Sequence, residues 1–220
     1  MSYSVALFDL DGTVLDTLDD LCNATNYALE SEGLPTHSKK AVCSFVGNGI
    51  ANLIDRAVPQ GSSPELSARV LATFKAYYAE HCADNTKPYD GIPELLSGLR
   101  RAGVRTGLIS NKADFAVQSL AKEYFEGLFD FALGERAEIP RKPAPDMVYY
   151  ALEKLGADPA EAVFIGDSDV DVKTAKNAGL DGIFVTWGFR DETCLRAAGA
   201  ECFADTPEAL GALILKNKKG

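Results

Sequence analysis

Two carboxylates stand two positions apart in Asp9-Leu10-Asp11-Gly12-Thr13, directly after the apolar run Val5-Ala6-Leu7-Phe8. A second acidic group, Gly166-Asp167-Ser168-Asp169-Val170-Asp171, follows another apolar run, Ala162-Val163-Phe164-Ile165. Ser110-Asn111-Lys112 follows a third, and Lys142 lies in Arg141-Lys142-Pro143-Ala144-Pro145-Asp146. Side chains two apart on a strand share a face, so Asp9 and Asp11 can aim at one point. Gly12 then permits a tight turn and a close approach of backbone to ligand. Adding Asp167 puts at least three carboxylates in one place, and like charges that close do not all ionise cheaply without a counter-ion. A hard divalent cation held by oxygens meets that need. Mg2+ suits one or two carboxylates together with a substrate phosphate and water.

Such a site exists only if the chain gathers these residues. Five short apolar runs read as strands: 4–8, 105–109, 129–133, 162–165 and 181–186. None alternates cleanly, as expected of parallel strands covered on both faces. Helical periodicity fills 92–103, 114–124, 144–156 and 171–179, and Gly103, Gly156 and Gly179 mark three helix ends. Strand alternating with helix predicts an α/β fold with a doubly wound, mostly parallel, Rossmann-like sheet. Ligands of such sheets bind beyond the carboxyl ends of the strands. Three strands here run into Asp9–Thr13, Ser110–Lys112 and Gly166–Asp171.

Residues 15–88 break the rhythm with helical patterns only. The chain therefore reads as an α/β domain of residues 1–14 and 89–220 with an inserted all-α helical domain, 15–88. The final Lys216-Asn217-Lys218-Lys219-Gly220 is short and basic and is expected to fray.

Bulk properties narrow the function. The formal net charge of −10 over 220 residues argues against a nucleic-acid partner and, more weakly, against anionic membranes. It is compatible with a phosphorylated metabolite, because a bound cation reverses the local sign. Cys22, Cys43, Cys82, Cys194 and Cys202 are odd in number, scattered and without a CxxC, and read as thiols of a reducing compartment. The N-terminus has no basic segment ahead of an apolar one, and no apolar run nears the roughly 20 residues of a membrane span. The expected location is cytoplasmic and the expected state a monomer or homodimer.

Singly, each motif has a plainer reading. Asp11-Gly12 could be a turn, Ser110-Asn111 a helix cap, Lys142 a surface lysine, and Asp167 to Asp171 acids at a helix start. Together and in this order they resemble the haloacid dehalogenase-like phosphohydrolases over the whole chain. The resemblance implies Asp9 as nucleophile and Asp11 as general acid and base. It implies a Mg2+ site of Asp9, Asp11 (through its backbone carbonyl), Asp167 and Asp171, the last directly or through water. It implies phosphoryl binding by Leu10, Gly12, Ser110, Asn111 and Lys142. The insertion matches the family's α-helical cap, expected to close over the site and read the leaving group.

Within the insertion, Gly47-Asn48-Gly49 precedes a helical pattern, so backbone N–H groups there could face an anion, with Arg56 on the same face. An ordinary helix–helix turn is the alternative. With Leu53 and Ala57, this string resembles the bacterial phosphoglycolate phosphatases, which implies 2-phosphoglycolate as substrate. Pyrophosphate, nucleotides and sugar phosphates stay open, as does a phosphomutase of the β-phosphoglucomutase type. Asp11 argues against a dehalogenase, whose halide leaving group needs no proton. The complete acidic set argues against a non-enzymatic binding protein. Lys112, Trp187 and Phe189 fall near the expected site, and Lys112 is a further candidate for touching substrate.

Overall fold

The computed structural model describes residues 3–216, so most of the basic tail lies outside the described residues. In chain order the elements are β1 (Val5–Phe8), β2 (Leu15–Asp16), α1 (Leu18–Ser31), α2 (Lys39–Phe45), α3 (Gly49–Ala57), α4 (Pro64–His81), β3 (Lys87–Pro88) and α5 (Ile92–Arg101). They continue with β4 (Arg105–Ala113), α6 (Asp114–Phe125), β5 (Phe131–Glu135), α7 (Asp146–Leu155), β6 (Ala162–Gly166), α8 (Asp169–Ala178), β7 (Asp181–Val185), α9 (Glu192–Ala198), β8 (Phe203–Ala204) and α10 (Pro207–Lys216). The chain divides into two compact units, Asp16–Lys87 and the remainder.

The remainder is an α/β unit. Its sheet has the order β5-β4-β1-β6-β7-β8, with every described pairing parallel. From β1 the chain winds outward on both sides, to β4 and β5 one way and to β6, β7 and β8 the other. The carboxyl end of β1 is therefore the point where the winding reverses, the usual ligand crevice of such sheets. Val5 to Phe8 are all fully buried, because both faces of β1 are covered. Val5 and Leu7 pack with Met147, Val148 and Leu152 of α7 and Val172 of α8. Phe8 turns to the opposite face, where Phe129 lies between it and Phe125 at the end of α6.

Two strand readings shift. The strand beginning at Arg105 does not stop at Ile109 but runs to Ala113, with a register irregularity against β5 between those residues. Ser110, Asn111 and Lys112 thus lie inside β4 rather than after it. β5 begins at Phe131, not 129, because Phe129 is used in packing and the Asp130 carboxylate accepts from the Thr106 amide. The short β8, α9 and α10 complete the far edge and carry too few residues for periodicity to reveal the strand.

Residues Asp16–Lys87 form the second unit, built on α1 to α4. Ser63 caps α4, whose first residue is Pro64, a proline position that costs no helical hydrogen bond. The buried Asp20 of α1 accepts from the amide and side-chain nitrogen of Asn85 and from the amide and hydroxyl of Thr86, at 2.8–3.0 Å. Those bonds fix the last turn before β3. Asp20→Ala strips acceptors from buried donors and is expected to destabilise the protein by about 3 kcal/mol, read as a lowered urea midpoint.

Candidate active site

The parallel register builds the site. Phe8 of β1 stands beside Leu108 of β4 and Ile165 of β6, and the Asp9 amide still donates to the Ile165 carbonyl at 2.8 Å. Beyond that register the three strands deliver Asp9, one residue on, and Ser110 and Asp167, two residues on, to one edge. After Asp9 the chain folds back tightly. The amides of Thr13, Val14 and Leu15 all donate to the Leu10 carbonyl, and that of Gly12 donates to the Leu15 carbonyl. Gly12 has φ +83, and a Cβ there would come within 2.3 Å of an Asp167 carboxylate oxygen. Only glycine allows both the turn and the acid beneath it. The Leu10 amide donates to Asp9 Oδ1 at 2.7 Å.

Lys142 is buried, not a surface lysine. Its Nζ lies 2.8 Å from Asp9 Oδ1 and 2.7 Å from Asp171 Oδ1. Asn111 Nδ2 donates to the Lys142 carbonyl and so holds its backbone. Burial works against the ammonium charge, but Asp171 and Asp9 outweigh it and hold the Lys142 pKa above the ordinary lysine range. Asp171 is fully buried at the third position of α8. Besides Lys142, it accepts from the Ser168 hydroxyl at 2.6 Å and from the amides of Ser168 and Asp167. With Ser168 it forms a reciprocal cap on the helix.

Asp167 is held at both oxygens. Thr13 Oγ1 donates to Oδ1 at 3.2 Å and the Phe189 amide to Oδ2 at 2.7 Å. Asp9, Asp167 and Asp171 each place a carboxylate oxygen within 4.8 Å of the others. One ammonium among three buried carboxylates leaves the group short of positive charge. Burial first, then Asp171, pushes Asp9 up to about 7 against the pull of Lys142. Burial, Asp171 and Asp9 raise Asp167 well above the usual carboxylate range. Desolvated oxygens in negative surplus are the donor set of a hard divalent cation, and these residues fit one.

Asp11 has a different partner. Its Oδ1 lies 2.8 Å from Nζ of Lys112, which is buried. The structure thus separates the two acids by cation, Asp9 with Lys142 and Asp11 with Lys112. Ser110 Oγ accepts from the Lys112 amide at 3.2 Å. The grip of Thr13 and the Phe189 amide on Asp167 had no sequence signal beyond the strand end preceding residues 186–189. In the helical unit, Asn48 is the N-terminal cap residue of α3, between Gly47 (φ +117) and Gly49 (φ +78). Asn48's carbonyl accepts from Asn52, and Arg56, exposed, donates to the Phe45 carbonyl.

Residues 6–185 match the haloacid dehalogenase-like hydrolase family. The chain belongs to that family. A phosphoglycolate phosphatase of Neisseria meningitidis is 34% identical over 193 residues, covering 86% of this chain and 82% of that protein. One from Yersinia pestis is 30% identical over 220 residues, covering 96% and 95%. A crystal structure from Lactobacillus delbrueckii subsp. bulgaricus superposes with a TM-score of 0.93 at 40% identity, covering 98% of this chain and 99% of that one. This family member is an enzyme of the phosphatase type. Among the described residues, no helix is long and apolar enough to cross a membrane.

The charge deficit predicts a cation effect on stability. Mg2+ at about a hundredfold its dissociation constant should add about 2.7 kcal/mol, seen as a raised melting temperature. Asp167→Asn should abolish the rise. Without metal, the Asp9 pKa in the folded protein, about 7, exceeds the ordinary 3.8. Ionising Asp9 therefore opposes folding, and its contribution to stability declines as pH rises through that interval. Melting in EDTA between pH 5 and 7.5 should show a shallower loss for Asp9→Asn than for wild type.

Proposed function

We propose that this enzyme hydrolyses a small phosphate monoester with Mg2+ through a phosphorylated Asp9, and that 2-phosphoglycolate is its substrate. The observation that carries the chemistry is the buried Asp9 carboxylate, tied to Lys142 and within reach of Asp167 at the reversal point of the sheet. Asp9, Asp167 and the backbone carbonyl of Asp11 would hold Mg2+, with Asp171 acting from behind through Lys142. When bound, Mg2+ keeps Asp9 ionised and offsets repulsion between the carboxylate and the phosphate.

Asp9 attacks phosphorus in line, the ester P–O bond breaks, and Asp11 gives a proton to the departing oxygen. Asp11, now a carboxylate, takes a proton from water as that water attacks the phosphorus. The Asp9 carboxylate leaves and inorganic phosphate is released. Lys142 and Ser110, with backbone amides of the Leu10–Asp11 and Asn111 segments, are the groups suited to the phosphoryl oxygens, where charge spreads in the transition state.

The substrate assignment is supported by relatives named phosphoglycolate phosphatase that match along nearly the full chain. The helical unit supports it by its own chemistry. The start of α3 offers amide donors after two positive-φ glycines, and Arg56 adds a cation seven residues on, suited to a small carboxylate.

A phosphate-release screen with Mg2+ tests both parts. 2-Phosphoglycolate should give the highest kcat/KM of the esters tried. Asp9→Asn should lower turnover by at least about a thousandfold. EDTA should abolish activity and added Mg2+ should restore it. A labelled phosphoryl group that stays with Asp9→Asn during turnover would end the proposal.

A further inference from the structure

Asp167 is gripped by two segments that do not adjoin it in sequence, the Gly12–Thr13 turn and the Thr186–Phe189 loop. The Trp187 side chain joins those two segments to each other. Trp187 Nε1 donates to the Thr13 carbonyl at 3.1 Å, while Thr13 Oγ1 and the Phe189 amide bond opposite oxygens of Asp167. The fit between the layers is close. A Cβ on Gly188 would come within 2.3 Å of Asp167 Cβ and 2.5 Å of the Gly12 carbonyl oxygen. The Trp187 ring also meets Tyr89, with centroids 6.4 Å apart, and the Tyr89 amide donates to the Val14 carbonyl at 3.2 Å. The Thr186 amide anchors the loop's other end to the carbonyl of Ala204 in β8.

We propose that Trp187 is a positioning residue for the cation site: its indole N–H clamps the Gly12–Thr13 turn to the Thr186–Phe189 loop and so fixes the rotamer of Asp167. The inference rests on the reading of Asp167 as a cation ligand. Without the clamp, the loop and turn can part, and each takes one of Asp167's two fixed donors with it. Asp167 then samples rotamers that point away from Asp9. Binding a cation must first restore one of them, which lowers affinity without touching any atom that contacts the ion. Partners that orient a ligand in this way typically change metal affinity by about 10-fold to 100-fold.

Isothermal titration of the metal-stripped full-length protein with MgCl2 alone tests the proposal. Trp187→Phe, which keeps an aromatic ring but loses the N–H, should bind Mg2+ about tenfold more weakly. Thr13→Val should weaken it similarly, and Thr13→Ser, which keeps the hydroxyl, should restore wild-type affinity. If the clamp acts through Thr13, the double variant Trp187→Phe/Thr13→Val should lose less than the product of the single losses. Trp187 is the only tryptophan in the chain, so wild-type emission should change as Mg2+ binds. Should Trp187→Phe fail to fold, the benzothiophene isostere of tryptophan removes the N–H and leaves the shape. Wild-type affinity in the variant lacking the N–H, or strictly multiplicative losses, overturns the clamp. No Mg2+ binding by wild type instead overturns the cation reading of Asp167, and the inference with it.

Discussion

Three buried carboxylates share one ammonium at the carboxyl edge of the sheet. Asp9 and Asp171 both lie against Lys142, and Asp167 sits beside them, held by the Thr13 hydroxyl and the Phe189 amide. An uncompensated charge is costly where water is excluded, so the surrounding structure has to hold this arrangement together. The Ser168 and Asp171 cap on α8, the Leu10-centred turn and the Asn111 grip on the Lys142 carbonyl all serve that end. The same deficit that strains the fold makes the site receptive to a divalent cation.

The sheet converts this local chemistry into a fixed geometry. Parallel pairing locks Phe8 against both Leu108 and Ile165, so Asp9, Ser110 and Asp167 are placed by backbone register rather than by flexible side-chain reach. A strand slip of one residue would turn Asp9 to the wrong face. Full burial of β1 on both faces supplies the resistance to such a slip. The position of Asp11 follows from the turn: two residues beyond Asp9, it has left the sheet and pairs with Lys112 instead. Two acids two apart thereby occupy distinct electrostatic settings, Asp9 beside Lys142 and Asp11 beside Lys112.

Much of the fold was legible in the sequence because its signals are local. Apolar runs without alternation, helical periodicity between them and glycines at helix ends depend only on near neighbours. They locate the five longer strands and the helical insertion. The two-residue strands carry no pattern to read, and the extension of β4 through Ser110–Lys112 escaped because those polar residues look like a strand's end. The candidate site was legible as a set of residue types at strand ends. Lys112 as the partner of Asp11, and Thr13 with the Phe189 amide as holders of Asp167, were not.

The sequence by itself determined the acids, the lysines, the order of strands and helices, and the family resemblance they carry. Tertiary structure alone decided which charge meets which. Lys112 and Asp11 are 101 positions apart, Thr13 and Asp167 are 154 apart, and Trp187 and Thr13 are 174 apart. Contacts at such separations are set by strand order and register, which bring distant segments to within hydrogen-bonding distance. Hydrogen bonds and ion pairs fade over a few ångströms, so no pattern along the chain encodes them until the sheet has formed.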